Sequence, residues 1–218
     1  MGKVIAIDGP SGAGKSTIAK LIAREMGFDY LDTGALYRAV AFALRNNDID
    51  GKDSDSKIMY VLKKTDIAFN NGRVFLNGKD VSENIRSKEI DYYSSVFSAR
   101  KVVRDFLLDA QRNAATTNNI VVEGRDTTTV LFPNAWKKIY LDASPDERAK
   151  RRYLQFKDKG AYANPEEAKR DVMERDMRDS NRNLAPLKRA ENAFLFDSSN
   201  LSVEQAKEEI LRFIKTGH

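Results

Sequence analysis

Gly9-Pro10-Ser11-Gly12-Ala13-Gly14-Lys15-Ser16 stands between the apolar run Val4-Ile5-Ala6-Ile7 and a stretch in which Ile18, Leu21 and Ile22 recur at helical spacing. A short continuous apolar run reads as a buried strand, and the spacing after it reads as a helix from about Lys15 to Met26, ended by Gly27. Strand, Gly-x-x-x-x-Gly-Lys-Ser, helix is the context of a P-loop. Its glycines let the backbone curl with N–H groups turned inward, and the helix N-terminus adds partial positive charge. Lys15 is expected to reach the β- and γ-phosphates of a nucleotide. The Ser16 hydroxyl is expected to ligate Mg²⁺.

Working outward, Phe28 to Asp32 reads as a second strand, and Gly34 to Arg45 as a helix with Leu36, Val40 and Leu44 four apart. Polar sequence from Asn46 to Asp55 precedes a predicted helix near Lys57 to Lys64. Ile67-Ala68-Phe69 and Val74-Phe75-Leu76 flank Asn70-Asn71-Gly72-Arg73, a hairpin signal that is foreign to a βαβ succession and marks an insert. Val102 to Gln111 is a predicted helix. Ile120 to Glu123, Lys138 to Asp142 and Ala193 to Asp197 are predicted strands. Ser144-Pro145-Asp146-Glu147, Asn164-Pro165-Glu166-Glu167 and Ser202-Val203-Glu204-Gln205 are helix starts. Strands alternating with helices predict an α/β fold, a parallel sheet with helices on both faces.

The 218 residues suffice for one such domain with a small insert, and for a core that needs no staples. There is no cysteine, which excludes disulfides, thiolate catalysis and cysteine zinc sites. The expected location is cytoplasmic: the N-terminus is too short and too soon interrupted for a signal peptide, and no apolar run approaches the roughly 18 residues of a membrane helix. A net charge of +5 on a chain that is 32% charged fits a mixed-sign surface, a site for a polyanionic ligand, or nucleic acid. No RNA-binding signature accompanies the charge, and the aromatic residues fall mostly in apolar runs.

The arginines narrow the chemistry. No Asn-Lys-x-Asp guanine-reading motif is present. Arg38, Arg104, Arg125, Arg148, Arg151 and Arg152 lie near the ends of predicted elements, and Arg175, Arg178, Asp179 and Arg182 would share one helix face. A salt-bridge ladder through Asp171, Arg175 and Asp179 accounts for part of that face. Arg178 and Arg182 are like charges four apart, which costs stability unless an anion lies between them. Guanidinium forks screen repulsion between two anionic phosphates, and a phosphate-oxygen acceptor needs no general base. The only histidine is His218, so a histidine base is disfavoured. A hydroxyl acceptor served by an Asp base stays open, as in a P-loop kinase for a sugar acid or a shikimate-like metabolite. A nucleic-acid-binding protein that uses ATP as a switch is the non-enzymatic alternative.

Four blocks carry a resemblance to the bacterial-type cytidylate kinases, a family of nucleoside monophosphate kinases: Ile7 to Thr17; Leu31-Asp32-Thr33-Gly34-Ala35-Leu36-Tyr37-Arg38; Val122-Glu123-Gly124-Arg125-Asp126; and Arg175 to Arg182 followed by Ala185-Pro186-Leu187. The resemblance implies transfer of the γ-phosphate of ATP to CMP or dCMP, with Mg²⁺. It implies an ATP site at Gly9, Pro10, Ser11, Gly12, Ala13, Gly14, Lys15, Ser16 and Thr17, completed by Arg148 and Arg152. It implies that Arg38, Arg125 and Arg182 hold the acceptor phosphate, with Lys15, Arg125 and Arg182 as catalytic residues. Arg175 and Asp179 approach the sugar, Arg104 and Asp126 read cytosine, and Thr33 and Ser95 complete the CMP site. The implied layout is a core at about 1–37, 100–147 and 183–218, a monophosphate-binding insert at about 38–99, and a lid region at about 148–182. The implied state is a monomer that binds neither nucleic acid nor membrane.

One departure stands out. Thr127-Thr128-Thr129 follows Asp126, where the family has a hydrophobic residue and then Gly-Thr. If that glycine has positive φ, Thr128 is expected to be strained and Asp126 displaced.

Overall fold

The computed structural model describes residues 2–70, 72–116, 118–157, 162 and 164–216. Asn71 of the expected hairpin turn, residues 158–161 and 163 of the expected lid, and His218 lie outside the described residues.

Five parallel strands form the central sheet: β1 (Val4–Asp8), β2 (Asp29–Asp32), β6 (Ile120–Gly124), β7 (Lys137–Asp142) and β8 (Phe194–Asp197), in the order β2-β6-β1-β7-β8. β1 and β6 are buried along their whole length. Their unbroken apolar runs are what a strand covered on both faces requires. Because side chains alternate across a strand, Ile5, Ile7 and Val121 face one layer, α1 (Lys15–Met26) and α8 (Val203–Thr216), through Ile18, Ile22, Ile210 and Ile214. Val4 and Val122 face the other, built from α2 (Thr33–Arg45), α3 (Asp55–Leu62) and α5 (Lys101–Asn113). The expected parallel α/β sheet with helices on both faces is therefore present.

Between α2 and α5 the chain forms a second, antiparallel sheet, β3 (Ile67–Asn70), β4 (Arg73–Leu76) and β5 (Lys79–Asp80), and then α4 (Lys88–Ser98). The hairpin signal located β3 and β4. β5 and α4 were not anticipated. α4 shows little apolar periodicity because Asp91, Ser94, Ser95 and Ser98 are buried on it beside Ile90 and Phe97. α6 (Pro145–Phe156) and α7 (Pro165–Asn181) start at their predicted caps, Ser144 and Asn164. Among the described residues no helix is long and apolar enough to cross a membrane.

The register aligns Ile7 with Glu123 and Asp8 with Gly124. The loops after β1 and β6 therefore leave the sheet side by side at its carboxyl edge, where parallel sheets of this kind hold their ligands.

Candidate active site

After β1 the chain turns through Gly9 to Gly14 into α1. A Cβ on Gly9 would lie 1.9 Å from the Leu141 carbonyl oxygen, so only glycine lets this turn pass β7. Gly14 caps α1 at φ 93°, a left-handed conformation that a side chain would strain. Lys15 is buried, and its ammonium donates to the Pro10 carbonyl at 2.7 Å. Burial, and next the positive charge of Arg125, push its pKa down to about 7. The turn is braced from outside by Asp176, which accepts from the Ser11 N–H at 2.8 Å, and by Arg148, which donates to the Ser11 carbonyl at 2.9 Å.

The P-loop opens into a cleft of about 600 Å³. Ser11 to Thr17 line one end; Thr33, Arg38, Ser95, Arg125, Asp126, Arg175, Asp179 and Arg182 line the other; Arg152 belongs to the same wall. Residues as far apart in sequence as Ser11 and Arg182 thus line one cleft. Four of the expected residues do not line the cleft. Gly9 and Pro10 shape the turn behind it. Arg104 stands behind Asp126 as its partner. Arg148 is consumed by the Ala143 and Ser11 carbonyls and by Asp176, so it braces the P-loop; its neighbour Arg151 lines the cleft but is itself held by Glu147, the Ala13 carbonyl and Ser198.

The arginines are held by three buried carboxylates. Asp179 accepts from Arg125 at 3.1 Å and from the Ser95 hydroxyl at 2.8 Å, with Arg175 at 4.0 Å. Burial opposes its ionisation, but the charges of Arg125, Arg175 and Arg182 prevail and hold it below the usual carboxylate range. Asp126 pairs with Arg104 and, at 3.2 Å, with Arg182. Here burial prevails and moves the carboxyl upward. Asp91, on α4, pairs with Arg38 at 2.6 Å, with Arg175 at 3.3 Å and with Arg152. Sequence reasoning missed Asp91, and the only signal for it was a lone acid in an unpatterned segment.

The fourth block needs a correction. α7 ends at Asn181 and Arg182 turns extended at ψ 141°, so Arg178 and Arg182 do not share a helical face. The Arg178 guanidinium lies over the Tyr92 ring, 5.0 Å from its centroid, and Arg182 donates to the Ala185 carbonyl at 2.7 Å and the Ser98 hydroxyl at 2.9 Å. No anion between them is required. Of the expected ladder only the Arg175–Asp179 rung forms, at 4.0 Å; Asp171 instead accepts from the Tyr162 hydroxyl at 2.6 Å and lies 3.7 Å from Arg152.

The threonines correct another expectation. Among the described residues the only non-glycine residues with positive φ are Asp48, Asn77 and Ala185, so Thr128 carries no such strain. Residues Thr127–Leu131 form a single π-turn. The N–H and hydroxyl of Thr127, and the N–H and hydroxyl of Thr128, all donate to the buried carboxylate of Asp8. The departure from the family pattern is a clamp that ties the loop bearing Asp126 to the strand bearing the P-loop.

Glu123 and Asp32 also line the cleft beside Ser16. Burial, and next the negative charge of Asp32, push the Glu123 pKa up, while Lys15 and hydrogen bonds from Ser16 and Tyr30 oppose the shift. Charge on this carboxylate is thus poised against the P-loop lysine.

Comparison with known proteins places the chain in a family. A family model for cytidylate kinase matches residues 5–216. The chain is 53% identical over 216 residues to the cytidylate kinase of Thermodesulfovibrio yellowstonii, covering 97% of each. It is 45% identical over 215 residues to the cytidylate kinase of Thermotoga maritima, covering 99% of this chain and 98% of that one. Among solved structures, an uncharacterized protein from Eubacterium ventriosum aligns with a TM-score of 0.56 at 13% identity, over 98% of this chain and 99% of that one. A gluconokinase from Sinorhizobium meliloti aligns with a TM-score of 0.51 at 13% identity, over 98% and 91%. At those identities the structural likeness concerns the fold.

Proposed function

The chain belongs to the cytidylate kinase family, and from that membership we infer that it transfers the γ-phosphate of ATP to CMP or dCMP, releasing ADP and CDP or dCDP. The observation that carries this reading beyond the family is one cleft that joins a P-loop to an array of four arginines, Arg38, Arg125, Arg175 and Arg182. A hydroxyl acceptor that carries a single carboxylate needs fewer cations. An acceptor that is itself a phosphate needs more, because donor and acceptor repel.

In this reading an oxygen of the CMP phosphate forms the new bond to the γ-phosphorus, and the bond from that phosphorus to the bridging oxygen breaks, leaving ADP. The nucleophile is already ionised near neutral pH, so no side chain must take its proton. Lys15 neutralises charge on the β- and γ-phosphates. Arg38, Arg125 and Arg182 orient the acceptor phosphate and offset charge as the transferred group passes between the nucleotides. Arg152, which reaches the cleft from α6, is the remaining arginine of the proposed ATP site. Asp179, held by Ser95 and Arg125, faces the sugar with Arg175. Asp126, fixed by Arg104 and Arg182, accepts from the cytosine 4-amino group.

The proposal includes Mg²⁺. Ser16, Asp32 and Glu123 offer hard oxygen donors at the donor end of the cleft, which suits this cation. Among the described residues no cluster of acidic or histidine side chains would hold a metal alone, so substrate phosphates would complete its shell. Bound there, the cation would supply positive charge that offsets the charge of the donor phosphates.

The segment at about 38–99 would act as the acceptor-binding insert, and that at about 148–182 as the lid. A cytoplasmic monomer that binds neither nucleic acid nor membrane completes the reading, supported by the cysteine-free composition. A coupled assay of ADP release with ATP, Mg²⁺ and a panel of acceptors tests the function. CMP and dCMP should turn over at least tenfold better than UMP, AMP, gluconate or shikimate. Equal turnover across the panel would refute it.

A further inference from the structure

Asp91 is the carboxylate shared by three arginines that come from three different helices. Arg38 arises from α2, Arg152 from α6 and Arg175 from α7, whereas Asp91 sits on α4. The Arg38 Nε lies 2.6 Å from Oδ1, the Arg175 terminal nitrogen 3.3 Å from the same oxygen, and a terminal nitrogen of Arg152 bonds Oδ2. All three guanidiniums line the cleft, and Asp91 lies behind them, buried. A guanidinium has five N–H donors. Asp91 engages one nitrogen of each, which leaves further donors of Arg38 and Arg175 uncommitted, among them the buried Arg175 Nε, which has no hydrogen-bond partner.

The neighbours show how tightly this is built. Arg152 also donates to the Tyr162 hydroxyl at 3.1 Å and stacks over the Phe156 ring, 4.1 Å from its centroid. Arg175 lies 3.5 Å from the Ser94 hydroxyl, one turn from Asp91 on the same helix. Lys88, at the start of α4, reaches Glu167 on α7 at 2.6 Å. Burial disfavours a charged Asp91, but Arg38, Arg175 and Arg152 outweigh it and hold the carboxyl far below its ordinary range. Without this anion, three desolvated cations would keep only the more distant carboxylates of Asp32 at 3.9 Å, Asp171 at 3.7 Å and Asp179 at 4.0 Å. Such an arrangement is expensive in a low-dielectric site.

We propose that Asp91 is a positioning residue for phosphoryl transfer, an internal counter-anion that sets Arg38, Arg152 and Arg175 as one nucleotide-facing array and joins the lid helices to the insert. The proposal rests on the reading that this array binds the two nucleotides. It distinguishes two quantities. Attraction of phosphate to the cleft comes from the arginines' charge and survives loss of Asp91. Alignment of the arginines in the transition state does not survive it. The signature is thus a fall in kcat without a matching rise in KM.

The test is Asp91→Asn with two readouts. In steady-state kinetics, kcat for CMP should fall at least tenfold while KM for CMP rises less than threefold. In thermal unfolding, 10 mM inorganic phosphate should raise the Tm of the variant by more than it raises that of the unmodified chain, because the added anion replaces the missing carboxylate. Asp91→Ser, smaller and uncharged, carries the same readouts if the asparagine variant is insoluble. Recovery of a variant only in phosphate-containing buffer supports the proposal. A kcat within twofold, an equal phosphate effect on Tm, or insolubility of both variants at every phosphate concentration overturns it. The Tm readout needs no turnover. A chain that fails to phosphorylate CMP would therefore sink the proposed function while leaving this inference to its own result.

Discussion

Thr128→Val removes one hydroxyl and keeps nearly the same volume, so it isolates one arm of the Asp8 clamp. Asp8 is fully buried and accepts from Thr127 N at 2.9 Å, Thr127 Oγ1 at 2.7 Å, Thr128 N at 2.7 Å and Thr128 Oγ1 at 2.6 Å. Valine deletes the shortest of these. A hydrogen bond to a charged group contributes about 1.5–3 kcal/mol. No water has access to replace it, since Thr128 is buried as well. Three donors remain on the carboxylate, which places the expected loss at about 2 kcal/mol. In a domain of this length each kcal/mol moves the midpoint by about 2–4 °C, so Tm should fall by about 4–8 °C. Calorimetry or circular dichroism at neutral pH measures it. Thr128→Gly should cost more, because it loses the same bond and adds backbone freedom without relieving a positive φ. A Tm within about 1 °C of the parent for the valine variant, or any gain for the glycine variant, would refute the clamp.

Arg182→Ala should lower kcat for CMP by about a hundredfold, the cost of losing one transition-state donor; a near-normal rate in the coupled assay would leave Arg182 only a brace for Asp126. Lys15, pushed down to about 7, is mostly neutral at pH 8 in the free protein, and phosphates would raise it. ATP binding at pH 8 should therefore take up nearly one proton, seen by titration calorimetry in two buffers of different ionisation enthalpy, and zero uptake contradicts the depressed pKa. The sign for stability follows: from about pH 7 up to the ordinary lysine value of 10.5 the unfolded chain binds the extra proton, so this group makes the free protein more stable as pH rises through that window. Asp126→Asn should reduce the CMP-over-UMP ratio of kcat/KM at least tenfold, because an amide can donate to the uracil carbonyl where a carboxylate cannot; an unchanged ratio would move base reading to another residue.

What the chain discloses in advance follows range of interaction. The P-loop was legible because strand, turn and helix are each set within a few residues, and Gly14 is forced by its own left-handed φ, whereas Gly9 is forced by the approach of β7. Four cationic side chains of the cleft were legible too, since the motif blocks carry Arg38, Arg125, Arg175 and Arg182, whereas Arg86 and Arg151, which also line it, were not expected there. Apart from the Arg175–Asp179 pair, their partners were not legible. Arg38 meets Asp91 across 53 positions, Arg125 meets Asp179 across 54, and Thr128 meets Asp8 across 120. No local pattern encodes such pairs. Arg148 and Arg178 show the consequence: both lie on helices, at spacings that suit a shared ligand, yet one is spent on the P-loop backbone and Asp176 and the other on Tyr92. Counting arginines near a P-loop therefore overstates the cations that substrate can meet. The useful quantity is how many of them a carboxylate fixes from behind while leaving donors toward the cleft, and by that measure Asp91, Asp126 and Asp179 shape the phosphate site as much as the arginines do.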